Sequence, residues 1–337
     1  MSASNESFQA PPPPPPPVTE TQPRAPKPVK LRPVAIGIFV IGLVLCIGLA
    51  AKLIPGGIFT GVLVALMGIV LFAFSFIPLP VIPESEAPLS FFDKVTGIFY
   101  EPSRVFRNLR AHPHWVGAYV VVVVLSAIYS FAFVNRITPE RIADYMTQKV
   151  AEMPAPFTPP PAAIEQMKTD QLAEMKNPIQ RAGAIAKLAV GLFLQGALAA
   201  AICLLAVLVF GGRINYWQSL SVVFFALIPV MTIQKLLGLA ILYLKSPDDL
   251  HPILNQETTL QDNLGILFSA AEHPVLFVLA SFIGLTWFYL IWLRGKGLHY
   301  AGTKVSSSAG WAGSLAVYLA LMFYAVVLTA LFPQFIS

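Results

Sequence analysis

The residue types that most often perform chemistry are few in this sequence, and their spacing matches no recognisable catalytic or metal-binding pattern. The two cysteines, Cys46 and Cys203, each lie inside an apolar stretch, where a thiol behaves as a small buried hydrophobe. Among the five histidines only His112 and His114 lie close together, without a Glu or Cys at metal-ligand spacing. The sequence contains no P-loop, no dinucleotide-binding glycine pattern and no nucleophile elbow. We therefore predict no enzymatic activity, no cofactor and no metal ion.

Four residues within apolar stretches are the remaining candidates for a function: Gln195, Pro229, Lys235 and Thr286. Gln195 could hydrogen-bond across a helix interface, with Thr286 as one partner. Pro229 interrupts an apolar helix and should kink it. Lys235 indicates a functional site, unless its long side chain reaches water near the membrane surface. If Gln195 and Lys235 face one water-filled cavity, a small-molecule transporter or channel component is favoured; if each faces a neighbouring helix, a scaffold is favoured.

The composition indicates that lipid surrounds most of the chain. The 337 residues are 56% hydrophobic and only 12% charged, whereas soluble domains carry about 25% charged residues. A helix needs about 20 apolar residues to cross the hydrocarbon layer, where it satisfies its own backbone. Seven apolar runs approach this length, at 34–51, 58–76, 115–133, 188–210, 220–241, 275–293 and 311–332. We therefore predict an all-α integral membrane protein with about seven transmembrane helices.

The first 81 residues divide into a tail and a hairpin. Residues 1–32 contain an unbroken proline run at 11–17 and are predicted to form a disordered, Pro-rich cytoplasmic tail. The proline run is either a solvated spacer or a ligand for an aromatic-lined groove. Residues 33–81 hold the first two apolar runs and are predicted to form an N-terminal transmembrane hairpin.

Lysine and arginine beside the apolar runs predict the topology, with a cytoplasmic N-terminus and a C-terminus outside. The sixth run is followed by three basic residues that are assigned to the cytoplasmic side, Arg294, Lys296 and Lys304. The connection 134–187 departs from the rule because its seven basic residues fall outside. The net charge of +5, distributed in this way, suits anionic lipid headgroups better than nucleic acid.

The segment 88–113 is too charged to cross the membrane and has two amphipathic halves. The first carries aromatic residues on one helical face, and the second begins at Pro102 and repeats arginine every three residues. This pattern is typical of helices that lie in the membrane surface, although an ordinary connector with positive charges is an alternative. The predicted membrane-surface contacts are Phe91, Phe92, Arg104, Phe106, Arg107 and Arg110.

The segment 138–176 predicts an extramembrane hairpin of two amphipathic helices separated by prolines. A threonine, a proline and an acid at 138–140 favour a helix start. The methionine-rich face of this hairpin either binds a partner or packs against a neighbouring helix.

Several of these features resemble those of the Yip (Ypt-interacting protein) family, in particular its bacterial branch. The stretch 92–115 resembles the start of the Yip domain, with Pro102 near its middle and Pro113 before Trp115. Pro229 within an apolar helix is also similar, as is the Thr-Trp pair that begins at Thr286.

The resemblance covers roughly residues 88–333 and implies a five-helix membrane domain with a cytoplasmic N-terminus, here 88–335. The hairpin that precedes this domain is an addition to the family pattern. The eukaryotic members are implicated in vesicle traffic and in binding Rab GTPases, a role that a bacterial relative would not share. The resemblance implies no catalytic residue.

These observations favour a non-enzymatic, multi-pass membrane scaffold or adaptor in a bacterial inner or plasma membrane. Its predicted partners are the lipid bilayer, through anionic headgroups at 88–113, and a protein of unknown identity. Self-association into a homo-oligomer is an open possibility, and nucleic acid is not an expected partner. The transporter remains the alternative.

Overall fold

The computed structural model describes residues 27–29, 31–51, 58–79, 87–153, 157–256 and 258–335, so most of the predicted tail, with its proline run, lies outside the described residues. Within these ranges the chain forms twelve α-helices and no β-strand. The helices are α1 (Leu31–Ala50), α2 (Phe59–Phe74), α3 (Phe91–Tyr100), α4 (Pro102–Ala111), α5 (Trp115–Ile137), α6 (Pro139–Ala151), α7 (Pro161–Lys176), α8 (Pro178–Val209), α9 (Tyr216–Leu244), α10 (Pro274–Ser281), α11 (Leu285–Ala301) and α12 (Ser307–Leu331).

Five of the described helices, α1, α5, α8, α9 and α12, are long and apolar enough to cross a bilayer, and α2 is apolar but has only 16 residues. The outer surface of these helices is apolar, since Leu198, Leu205 and Phe323 are 63%, 62% and 69% exposed. Ser221 and Ser314, by contrast, are fully buried. Apolar side chains outside and hydroxyl groups inside reverse the pattern of a soluble protein. The predicted class, an all-α integral membrane protein, is confirmed.

Helix α9 is the centre of the membrane domain. All its residues from Tyr216 to Ala226 are buried, and α5, α8 and α11 pack against it. A capping box begins this helix: the Asn215 side chain accepts from the backbone N–H of Trp217 at 2.9 Å, and Gln218 caps the Asn215 N–H at 2.8 Å. Helix α12 completes the bundle by packing on α8 and α11.

The predicted sixth span, 275–293, is wrong as a single helix, because the chain breaks it into α10 and α11. The loop before α10 folds back onto the break, where Leu264 N donates to Ile283 O at 3.0 Å. The first N–H groups of α11 are satisfied by Asp262, whose backbone oxygen accepts from Leu285 and whose carboxylate accepts from Thr286 at 2.7 Å. A carboxylate is favourable at a helix N-terminus. The resulting α10, with eight residues, is about 12 Å long and cannot cross a bilayer alone.

Helices α1 and α2 form a close-packed pair. A Cβ atom added at Gly42 would lie 2.3 Å from Ala65 N, and one at Gly68 would lie 2.5 Å from Phe39 N. Small residues allow helices to approach in this way within lipid. The pair attaches to the bundle where α9 begins, since the Trp217 indole donates to the carbonyl of Ile77 at 3.2 Å.

Helices α6 and α7 occupy the segment predicted as an extramembrane hairpin, and they pack against each other. Asp144 and Lys168 form an ion pair at 2.7 Å, and Glu140 pairs with Lys176. The hydrogen bond from Lys176 lowers the pKa of Glu140 below its ordinary value. Two methionines of the hairpin, Met146 and Met175, pack on the cluster around Tyr129.

Candidate functional site

Helices α3 and α4, here called the surface layer (residues 91–111), begin at local sequence signals. The Ser90 hydroxyl caps α3 by accepting from Asp93 N at 3.1 Å. Pro102 occupies the first turn of α4, where a missing backbone N–H has no cost. The surface layer is therefore two short helices with a break between them, as the sequence pattern indicated.

The apolar face of α4 packs on protein rather than on lipid. Val105 is 1% exposed, and both Phe106 and Leu109 are fully buried. The Phe106 ring lies against α11, where a Cβ atom at Gly297 would be only 2.9 Å from it and 2.6 Å from Val222. The predicted membrane-surface contact of Phe106 is therefore wrong, because this ring fills the core between α4, α9 and α11.

Arg110 ties the surface layer to the bundle. Its guanidinium donates two hydrogen bonds to the carbonyl of Tyr300, at 3.1 and 2.8 Å. Its own carbonyl accepts from Gln218 Nε2 at 2.7 Å. Half-buried and bonded in this way, Arg110 acts as a structural anchor, whereas Arg107 is exposed and lies 5.7 Å from the ring centroid of Tyr300.

The outward face of the surface layer combines aromatic rings with arginines. Phe92 and Tyr100 are 76% and 69% exposed, and Arg104 is also exposed. Phe91 is partly covered because its ring lies over Gly117 of α5. Of the predicted contact residues, Phe92, Arg104 and Arg107 are therefore exposed, and Phe91 is exposed in part.

A polar cluster lies at the other end of the bundle, beneath the loop 245–273. Lys235 is 6% exposed, and its ammonium group is 4.7 Å from the ring centroid of Tyr129 on α5, an arrangement that favours a cation–π contact. The Tyr129 hydroxyl donates to the carbonyl of Asn255 at 2.8 Å, and the Thr259 hydroxyl donates to the carbonyl of Gly238 at 2.5 Å. Lys235 is thus enclosed by protein and faces a neighbouring helix.

The same cluster continues to the broken span. Gln234 Nε2 donates to the Thr286 hydroxyl at 3.0 Å. Thr286 therefore pairs with Gln234, and not with Gln195, which the sequence analysis had suggested as its partner. Pro229 is buried in α9, five residues before Gln234. Asp262 completes the arrangement by capping α11. Sequence reasoning missed this aspartate because it lies outside every apolar run.

Gln195 lies apart from this cluster, on the outer face of α8. It is exposed together with Gly191 and Leu198, which share its helical face. No hydrogen bond joins its amide to the described residues. Pro229 and Lys235 therefore both lie on α9, which Gln234 links to Thr286, whereas Gln195 faces the lipid.

Arg294 is a buried charge that the sequence analysis placed wrongly. Because α11 continues to Ala301, this arginine lies within the helix, 3% exposed, and not in a cytoplasmic connection. Its Nε has no hydrogen-bond partner among the described residues. It therefore contributes less to the topology count than the exposed basic residues do.

His251 holds the loop 245–273 against the hairpin. Its Nδ1 accepts from the backbone N–H groups of Ile253 and Leu254 at 3.1 and 3.0 Å, and its Nε2 is 3.0 Å from the Tyr145 hydroxyl. Burial, with the positive charge of Lys149 as a second cause, lowers the pKa of His251 below its ordinary value. The neutral ring is thus the form that fits the folded protein.

The Asp262 and Thr286 side chains make structural contacts. In the described ranges no group of three His, Cys, Asp or Glu side chains could hold a metal ion. The carboxylate of Asp262 caps a helix, and the Thr286 hydroxyl accepts from an amide.

Comparison with known proteins identifies the family of the chain. No curated protein and no solved structure matches the chain significantly. The sequence model of the Yip1 domain matches residues 96–329, which extend from the middle of α3 to near the end of α12. The match omits α1 and α2 and includes the surface layer from Thr96, the hairpin and the whole bundle. The chain belongs to the Yip1 domain family.

Proposed function

We propose that this protein is a non-catalytic membrane scaffold or adaptor of the bacterial type, with its N-terminus in the cytoplasm and its C-terminus outside. The observation that carries the proposal is the construction of the surface layer. Phe106 and Arg110 fix it to the bundle, while Phe92, Tyr100 and Arg104 face outward. A rigid platform with an open aromatic and basic face is suited to binding and not to catalysis.

This outward face suits anionic lipid headgroups. An arginine near an anionic leaflet contributes about 1 kcal/mol of attraction, and aromatic rings prefer the interface between lipid and water. Arg104 and Arg107 would then lie over the phosphates while Phe92 and Tyr100 enter the headgroup layer. The same residue types are enriched at protein interfaces, so this face is also suited to bind a partner protein at the membrane surface.

The contacts of the polar residues speak against transport. Lys235 faces Tyr129 within the protein, whereas Gln195 faces outward from α8. The two side chains line no common cavity among the described residues. A common cavity for these two side chains would have favoured a transporter or channel component, and this condition is not met.

The exposed Gln195 favours self-association of the scaffold. An amide that faces lipid lacks hydrogen-bond partners, and an interhelical hydrogen bond within a membrane contributes about 0.6–2 kcal/mol. A second copy would bring an identical amide, which both donates and accepts. Gly191, one turn away and without a neighbour within 4 Å, would allow the helices to approach.

Lipid binding by the surface layer is tested with the full chain in nanodiscs. A nitroxide label at position 100, in a variant without native cysteines, reports depth through its accessibility to oxygen and to a water-soluble nickel chelate. We expect the label to lie deeper when phosphatidylglycerol replaces phosphatidylcholine, and this difference to vanish in the double variant Arg104→Gln/Arg107→Gln. Arg213→Gln, an exposed arginine outside the layer, is the control. If the depth of the label is the same in both lipids, or if Arg213→Gln removes the difference as the double variant does, lipid binding by the surface layer is contradicted.

The scaffold role itself is tested by crosslinking in cells. A photoreactive phenylalanine at Tyr100 should form an adduct with a specific protein. The same residue at Phe323, equally exposed on α12 at 69%, should crosslink only to lipid. If position 100 gives no more protein adducts than position 323, the surface layer is not a partner-binding platform.

A further inference from the structure

A cavity of about 310 Å³ lies between α5, α8 and the hairpin α6–α7. Its walls are largely apolar and include Phe131, Ile185 and Leu188. This volume is at the lower end of the range of about 300–1,000 Å³ for small-molecule sites, which combine apolar walls with a few convergent polar groups. The charged groups and Gln171 come from α7 and the first turns of α8, and Ser130 of α5 and Gln256 of the loop 245–273 add two further polar side chains.

Gln171 presents an acceptor without a donor. Its side chain lines the cavity, and its Oε1 atom is buried with no hydrogen-bond partner among the described residues. A buried polar atom without a partner costs about 1–3 kcal/mol. A ligand that brings a hydroxyl group would satisfy this oxygen.

The charges at the cavity leave a positive excess. Glu174 is neutralised by Lys187 at 2.5 Å. Arg181, which also lines the cavity, donates to two neutral oxygens, the carbonyl of Met175 at 2.5 Å and the side chain of Asn135 at 3.0 Å. No carboxylate of the described chain forms an ion pair with it. An anionic group of the ligand would be the missing counter-ion, and guanidinium groups bind phosphate well.

The position of these groups fits the layers of a bilayer. The apolar run of α8 begins at about Leu188, and Arg181 lies seven residues earlier, or about 10 Å along the helix axis. The headgroup layer is about 5–8 Å thick on each side of the hydrocarbon core. The backbone of Arg181 therefore lies just outside this layer, but its guanidinium is 4.9 Å from the ring centroid of Phe131, at the end of the apolar run of α5. A phosphate beside this guanidinium and an acyl chain beside Leu188 are at the depths that one lipid molecule occupies.

We propose that this cavity binds one anionic glycerophospholipid with a hydroxylated headgroup, of the phosphatidylglycerol type. Its acyl chain lies against Phe131, Ile185 and Leu188. Its phosphate pairs with Arg181, and a headgroup hydroxyl donates to Gln171 Oε1. The site is separate from the surface layer and independent of the scaffold proposal.

The test uses the full chain purified in a mild detergent, with bound lipid counted by native mass spectrometry. Phosphatidylglycerol should be retained as one molecule per chain, and phosphatidylcholine with the same acyl chains should be retained less. Arg181→Gln should weaken retention of phosphatidylglycerol by about tenfold or more, while Arg181→Lys, which keeps the charge, should preserve most of it. Arg136→Gln is the control, because this arginine of α5 does not line the cavity.

Two further experiments test the contributions of the acyl chain and of the headgroup of the lipid. Ala184→Phe places a ring in the cavity and should abolish retention of any lipid. If this variant fails to fold, the comparison of Arg181→Gln with Arg181→Lys tests the proposal without it. Soluble glycerol phosphate, which lacks acyl chains, should not displace the lipid. Equal losses in Arg181→Gln and Arg136→Gln, or displacement by glycerol phosphate alone, would overturn the proposal.

Discussion

Phe106 offers a direct test of how the surface layer is held. Its ring is fully buried between α4 and α11, in space that exists because Gly297 has no side chain. Replacing a buried phenylalanine with alanine costs about 3–5 kcal/mol, because apolar contacts are lost and a cavity remains. Had the ring faced lipid, acyl chains would fill the gap and the cost would be small.

The cost is measured as exposure of α4. In a variant without Cys46 and Cys203, a cysteine replaces Ala111, which is 1% exposed and reacts with a water-soluble thiol reagent only when α4 detaches. When closing is faster than labelling, the rate follows the population of the open form. Phe106→Ala should therefore raise the labelling rate by at least about 100-fold, since each 1.4 kcal/mol is a factor of about ten.

The matched control is Phe92→Ala, because Phe92 is 76% exposed on the neighbouring helix. Exposed substitutions change stability by about 0.5 kcal/mol, so the labelling rate should stay within a factor of about two to three. If Phe106→Ala and Phe92→Ala label at the same rate, the apolar face of α4 does not pack on the bundle. The reasoning that separates anchoring residues from outward residues would then fail.

Three further predictions concern other parts of the molecule. Because the pKa of His251 is lowered on folding, contact between the loop 245–273 and the hairpin should weaken as the pH falls from about 6.5 through the folded pKa; hydrogen exchange should show this in the wild type and not in His251→Gln. Gln195→Leu should reduce the dimer fraction in vesicles, measured by photobleaching steps, whereas Leu319→Ala on the outer face of α12 should not. A cysteine at position 160 should be labelled only from outside and one at position 300 only from the cytoplasm, and labelling of both from one side would contradict the topology.

Helix ends followed the sequence closely where local signals set them. Prolines stand at the first position of α4, α6, α7 and α8, where they favour a helix start. Trp115 begins α5 at the predicted residue. These signals act within a few residues of the chain, so they can be recognised without knowledge of the fold.

The break between α10 and α11 could not be predicted in this way. Hydropathy is continuous across it, and the cause is a contact with Asp262, about 20 residues earlier, whose carboxylate replaces the helical acceptors. Gly284 permits the approach, since a Cβ atom there would lie 2.9 Å from Asn263. A long-range hydrogen bond of this kind leaves no periodic pattern in the sequence.

The surface layer shows a second limit. Amphipathic periodicity reveals that a face avoids water, but it does not say whether lipid or protein covers that face. Phe106 and Phe92 therefore look equivalent in sequence, although one is fully buried and the other is 76% exposed. Only the position of α11, with Gly297 opposite α4, distinguishes them.

Satisfied and unsatisfied polar groups separate the structural candidates from the functional ones. Lys235 and Thr286 attracted attention because they are polar within apolar runs, yet both find partners inside the bundle, which explains them as parts of the fold. The Gln195 amide and the Gln171 oxygen do not, and each faces either lipid or a cavity. Since an unpaired polar group in such surroundings is costly, these two positions indicate where a second copy of the chain and a lipid headgroup would bind.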